Sequence, residues 1–217
     1  MLKKSDVIGA IWKKKNGKKF IIGGSFFLII SLVFFYSFIY NDIIETMRMG
    51  MDVWYSMFDG QLNYFYARRT PVNAIAYPKT VQGVYDFPIY IVFALWNLPL
   101  WIAERFFSVD VFRSPLCLMW GKSLILLSSI LITAAIFKLC KTLRMVEETC
   151  WLVCILFITS NFFMSSVILM SAYDIVALYF AIIGLDYYFK GNTKKFTICF
   201  MFAIPLKFFA LLIFIPL

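Results

Sequence analysis

From Phe20 to Tyr40 the chain carries no charge, and directly after this run stand two carboxylates, Asp42 and Glu45. An uncharged apolar stretch of roughly 20 residues is long enough to cross a bilayer as a helix. The remainder repeats the pattern, with further long apolar runs separated by short polar ones. The chain is 62% hydrophobic and only 15% charged, too apolar for a soluble domain. These features predict an all-α polytopic membrane protein.

The net charge of +9 does not point to nucleic acid. Seven lysines (Lys3, Lys4, Lys13, Lys14, Lys15, Lys18 and Lys19) precede the first apolar run with only Asp6 against them, the expected flank of a cytoplasmic N-terminus. No basic groove with interleaved stacking residues follows, so no nucleic-acid partner is expected. The first run ends in bulky residues where a signal peptide would have a small-residue cleavage site, so it is expected to remain as an anchor. Histidine is absent, which removes Ser-His-Asp and Cys-His catalysis and most transition-metal sites. Cys117, Cys140, Cys150, Cys154 and Cys199 have no C-x-x-C spacing and read as small buried hydrophobes. Acid-base chemistry is left to Asp, Glu, Lys or Tyr.

The organisation expected is a basic cytoplasmic segment over 1–19, a first crossing over 20–40, an extracytoplasmic loop over 41–115, and further crossings over 116–139, 149–169, 173–189 and 196–217. Within the loop, Ile44, Met47, Met51, Trp54 and Phe58 form one helical stripe, with Asp42, Glu45, Asp52 and Asp59 on the opposite, water-facing side. Gly60 is its expected stop. Residues 61–86 read as loop, and Pro88 opens a second apolar run, 87–103, near the lower length limit for a crossing. If that run does not cross, the basic clusters at the N-terminus, at Lys138 to Arg144 and at Lys190 to Lys195 all lie on the cytoplasmic side. Asp42 and Asp174 then share the outer face, the arrangement the charge rule favours. The chain stops within an apolar run, as expected of the N-terminal portion of a longer protein.

Several charged residues have both a structural and a chemical reading. Asp42 and Glu45 have the spacing of a capping box, and equally suit a general base with its helper at the membrane surface. Asp174, between two apolar passes, is either a solvated turn or helix cap, or a site residue in a wet cavity. Asp186 has Lys190 at i, i+4. Lys207, about eleven residues into the last run and just after Pro205, either snorkels to the surface or meets a phosphate or carboxylate.

The order of five short motifs resembles the N-terminal half of the GT-C fold glycosyltransferases, the group that includes protein O-mannosyltransferases and aminoarabinose transferases. They are Tyr40-Asn41-Asp42 after the first crossing, Tyr85-Asp86-Phe87-Pro88-Ile89-Tyr90 opening an apolar helix, Phe112-Arg113-Ser114-Pro115 before a crossing, Ser171-Ala172-Tyr173-Asp174 at an outer turn, and Ile204-Pro205-Leu206-Lys207 late in the next run. The resemblance covers Phe20 to the end of the chain. It implies a sugar transfer from a polyprenyl-phosphate donor to an extracytoplasmic lipid-linked, glycan or protein acceptor. It further implies Asp42 as base with Glu45 and Asp174 assisting, Arg113 and Lys207 on the donor phosphate, and a divalent cation (Mg or Mn) at Asp42 and Asp174 where one is used. The chain departs from the family in having Asp-x-x-Glu for a tight acidic pair, Ser171-Ala172 for Gly-Gln, and one proline at Phe87-Pro88 for two. A transporter or envelope-assembly subunit is the alternative. No internal repeat of the kind common in transporters is visible.

Overall fold

The computed structural model describes residues 17–74 and 77–215. Most of the basic stretch 1–19 lies outside them. The described chain is mostly helical, with α1 (Gly17–Ser37), α2 (Asn41–Phe58), a 3₁₀ turn (Leu62–Ala67), β1 (Thr70–Ala74), β2 (Tyr77–Val81), α3 (Phe87–Trp96) and α4 (Leu98–Phe107). There follow α5 (Pro115–Thr142), α6 (Glu147–Ile158), a π-helical turn (Phe163–Leu169), α7 (Asp174–Phe189), α8 (Thr193–Leu206) and α9 (Phe209–Phe214).

Among the described residues α5 is the single helix long and apolar enough to cross a membrane unaided. Up to four spans result if each sharply bent pair counts as one: residues 23–37 of α1 with α2 (65°), α3 with α4 (66°), and α6 with the π-turn (61°). Several of the apolar runs are thus broken rods. Three of the breaks have identifiable causes. In the 196–217 run, Pro205 supplies no N–H and crowds the preceding turn, and α8 ends at Leu206 with Lys207 extended at φ −161°. The π-turn closes at Ser171, which adopts φ 54° before α7 begins. At the end of α1, the buried ammonium of Lys122 on α5 donates to the carbonyls of Phe35 and Phe38 and lies 4.4 Å from the Phe35 ring centroid. Carbonyls freed at a helix end need such a donor where water is scarce.

The residues expected to be loop over 61–86 contain a two-stranded antiparallel hairpin, with Thr70 opposite Val81 and Val72 opposite Lys79. Pro71 and Pro78 do not prevent it, because both strands are edges and each keeps one unpaired side. Val72 and Val81 face the core.

α2 is the hub. Ile44, Met47 and Met51 are buried as the stripe requires, but Phe58 at its end is exposed. Gly50 allows α3 to approach so closely that a Cβ there would lie 2.6 Å from that of Phe93. Gly60, at φ 66°, ends this region. The expected water-facing side of α2 is not all solvated. Asp52 is fully buried, held by Arg48 at 2.9 Å and by the Thr70 hydroxyl, while Arg48 also reaches Glu104 of α4 at 2.8 Å. The hairpin and α4 cover this face, so α2 is packed on both sides. α3 is tied to α5 by Trp96 and Trp120, stacked at 5.3 Å, each indole N–H donating to the other residue's carbonyl. Asp186 pairs with Lys190 at 2.6 Å, and Lys138 and Thr142 complete its shell.

Candidate functional site

The α1–α2 elbow sets Asp42 in the first turn of α2, where the helix dipole favours a carboxylate. It does not form a capping box. Tyr40 is the N-cap and makes no side-chain cap hydrogen bond, and Asp42 lies inside the first turn. Asp42 instead accepts from the Tyr85 hydroxyl at 2.5 Å, while Glu45 binds Lys79 of β2 at 3.1 Å.

Tyr85 is held by its backbone. Its N–H and that of Val84 both donate to the Tyr90 hydroxyl, at 3.0 and 2.9 Å, and its carbonyl accepts from Tyr66 at 2.8 Å. Its ring meets that of Tyr173 edge-on at 4.9 Å. Tyr173 is the residue before α7, so the contact joins two chain segments that each precede a helix.

The break after α8 delivers Lys207 to the same place. Its ammonium is 2.8 Å from Asp174 in the first turn of α7, and lies 5.0 Å from the Tyr173 ring and 5.6 Å from the Tyr85 ring. Glu45, Asp174 and Lys207 each act electrostatically on Asp42 here. Burial, opposed by the Tyr85 hydrogen bond and by Lys207 and reinforced by Glu45 and Asp174, raises the Asp42 carboxyl above the ordinary carboxylate range. Burial and the hydrogen bond to Asp42 push the Tyr85 phenol far up. Tyr85 is therefore a neutral hydroxyl at physiological pH.

A cavity of about 400 Å³ opens beside this cluster, lined by Val84, Tyr85, Asp86, Tyr173 and residues 206–209. That is within the usual range for a small-molecule site. A larger apolar cavity, of about 480 Å³, lies apart from it between α1, α5 and α6.

Four of the five site residues expected from sequence, Asp42, Glu45, Asp174 and Lys207, are thus brought into one neighbourhood. Arg113 is not. It is exposed, donates to the Asn73 carbonyl at 3.3 Å and pairs with Asp110 at 3.5 Å. Tyr85 and Tyr173 were not singled out by the sequence reading, although each flanks or belongs to a motif that was. Lys122 was also missed, a cation in the first half of the α5 apolar run, sixteen residues before Lys138.

The donor set does not suit a divalent cation. Among the described residues no three Asp, Glu, Cys or His side chains assemble, and the two carboxylates expected to share an ion are engaged by a hydroxyl and an ammonium. Mg²⁺ and Ca²⁺ sites are built from several oxygen ligands. No chemical step is routed through a metal here. Compared with protein-family models, with curated proteins and with solved structures, the chain has no significant match.

Proposed function

We propose that the chain is a membrane glycosyltransferase that moves a sugar from a polyprenyl-phosphate donor to an acceptor hydroxyl, with Asp42 as general base. The observation that carries this reading is the convergence of Asp42, Asp174 and Lys207 from three separate helix ends beside one cavity. Such a set has the parts a glycosyl transfer needs. Asp42 takes the proton from the acceptor hydroxyl, whose oxygen bonds to the anomeric carbon. The bond from that carbon to the phosphate oxygen breaks, and its electron pair leaves with the lipid phosphate. Lys207 supplies positive charge where the phosphate gains it. Asp174 holds that ammonium in place, and Glu45 adds negative potential that keeps Asp42 basic. Arg113 takes no part in the transfer step.

In the membrane this reading has five crossings, 20–40, 116–139, 149–169, 173–189 and 196–217, with 87–103 folded into the outer face. The 66° bend between α3 and α4 suits a segment that dips without crossing. The N-terminus is then cytoplasmic, and Asp42 and Asp174 are extracytoplasmic. A non-enzymatic membrane subunit is favoured by one observation, the Lys207–Asp174 pair, which also satisfies a purely structural lysine. The absence of capping at Asp42 speaks against it.

The two readings separate in one assay. Membranes containing the full-length protein are given radiolabelled polyprenyl-phosphate sugars, and label leaving the lipid phase is counted. A transferase releases label from at least one donor above membranes lacking the protein. No release from any donor, with the protein present and folded, removes the enzymatic reading.

A further inference from the structure

A second polar recess lies at the other end of α2 from Asp42. It is lined by Ser56, Gln61, Tyr64, Ala67 and Arg68 and has a volume of about 170 Å³. Ser56 stands roughly 21 Å along α2 from Asp42, at 1.5 Å per residue. The recess is smaller than the roughly 300 Å³ at which small-molecule sites begin, so it fits one chemical group of a ligand.

Its polar groups are donors without acceptors. Ser56 is fully buried, yet its hydroxyl only accepts, from Arg68 Nη1 at a long 3.4 Å. Among the described residues nothing takes its hydrogen, and the side chains of Gln61 and Tyr64 make no hydrogen bond. Arg68 has five N–H donors and spends only Nη1, on Ser56 and on Asp59 at 3.6 Å. Charge-assisted bonds close to about 2.7–2.9 Å, so this guanidinium is loosely held. The end of α2 does not need it: the Gln61 N–H returns to the Ser56 carbonyl at 2.8 Å and the Gly60 N–H to that of Met57 at 3.3 Å.

The surroundings add charge and apolar surface. Arg68 and Arg105 lie over the Tyr55 ring at 5.9 and 6.0 Å. Arg48, the third guanidinium over that ring, is spent on Asp52 and Glu104. Asp59 is the one carboxylate paired with Arg68. Beside the recess Met57, Phe58, Phe106 and Phe107 are exposed, and Trp101 joins Phe58 and Phe106 into one patch, at 5.1 and 5.9 Å. A basic, donor-rich recess bordered by exposed apolar side chains complements an anionic headgroup with hydrocarbon attached.

We propose that this recess binds the phosphate of a membrane lipid, with Arg68, Ser56, Gln61 and Tyr64 donating to the phosphate oxygens and the Phe58–Phe106 patch against the acyl chains. The free oxygens of a phosphate only accept, which matches a recess that mostly donates. Sugar hydroxyls or an amine would need acceptors, and the lining offers little beyond the Gln61 carbonyl. The site is separate from the Asp42 cavity and is independent of sugar transfer.

The test titrates the full chain in neutral detergent with dihexanoyl phosphatidic acid, dihexanoyl phosphatidylcholine or inorganic phosphate, reading the melting temperature at each concentration. Phosphatidic acid should raise it saturably, with an apparent affinity about tenfold or more above those of the other two. R68Q should weaken that affinity about tenfold, and R68K should recover only part of it, because an ammonium lacks the planar fork. D59N should tighten it about threefold by removing the carboxylate that competes for Arg68, a gain that a merely structural arginine would not give. Where R68Q does not fold, the exposed pair Q61A/Y64F decides, and should weaken binding about threefold. An equal response to phosphatidylcholine would mean that the chains alone bind, and an equal response to inorganic phosphate that the recess takes the free ion. Either result overturns the lipid-phosphate assignment, as does wild-type affinity in R68Q, D59N or Q61A/Y64F.

Discussion

Lys207 and Asp174 meet at 2.8 Å across two chain breaks, one made by Pro205 and one by the Ser171 turn. Both side chains remain about one-third exposed. An ion pair with that much water contributes about 1 kcal/mol or less to stability. Its consequence is placement, since it holds an ammonium over two tyrosine rings at the mouth of a cavity. Replacing Lys207 by Met should leave the melting temperature within a few degrees of wild type. The donor KM should rise about tenfold, the loss of roughly 1.4 kcal/mol of binding. A large fall in melting temperature with KM unchanged would make Lys207 structural.

Asp42 gives a pH dependence with a definite sign. Its carboxyl is raised in the folded protein, chiefly by burial. The stability this residue contributes is fully present below the ordinary carboxylate pKa and is lost as pH rises through the raised value. Catalysis runs the other way, because the base works only when ionised. Melting temperature relative to D42N should therefore fall between the ordinary aspartate pKa and the raised value, and transfer should rise at the upper end of that interval. Measured in one buffer series, the melting-temperature difference should begin to fall near the usual aspartate value and level off at the raised value, where transfer reaches half its maximum.

Asp52 is the group whose loss should be most damaging to the fold. It is fully buried against Arg48, and Arg48 also serves Glu104. Removing one member of a buried pair leaves the other uncompensated, which costs about 3–5 kcal/mol. Asp52→Ala should accordingly reduce the folded protein recovered in detergent and lower its melting temperature by many degrees. Asp42→Asn, at a half-buried position, should be recovered normally. Fluorescence-detected chromatography of the two variants compares them directly.

The proposed site requires its acids to share a side of the membrane. Single cysteines placed at 42 and 174 in a background lacking Cys117, Cys140, Cys150, Cys154 and Cys199 should both react with an impermeant maleimide added outside intact cells. A cysteine at 194 should react only after permeabilisation. Opposite labelling of 42 and 174 would dismantle the site.

Charges set against apolar runs were the legible part of this molecule. Asp42, Asp174 and Lys207 stand out in sequence because an ionisable group beside or within such a run needs a partner, and the fold brings them together. Helix content was legible for the same reason, from apolar run length. The bends were not. The elbow after α1 depends on Lys122, 84 residues after Phe38, reaching two carbonyls, and no local pattern encodes that. Asp52 was misplaced because a stripe assumes one packed face, whereas the hairpin and α4 cover the other. Tyr85 and Tyr173 were hidden among twelve tyrosines that interfacial anchoring already explains. Their usable signal was adjacency, Tyr85 next to the N-cap of α3 and Tyr173 next to Asp174.

The proposed transfer depends on Asp42. The decisive measurement is sugar transfer from the polyprenyl-phosphate donor by full-length Asp42→Asn, in membranes containing as much folded protein as wild type. The asparagine is nearly isosteric and cannot act as the base, so transfer should fall by about 10²-fold or more, in line with the usual contribution of a general base. Transfer at the wild-type rate would contradict the role given to Asp42 and the site built around it.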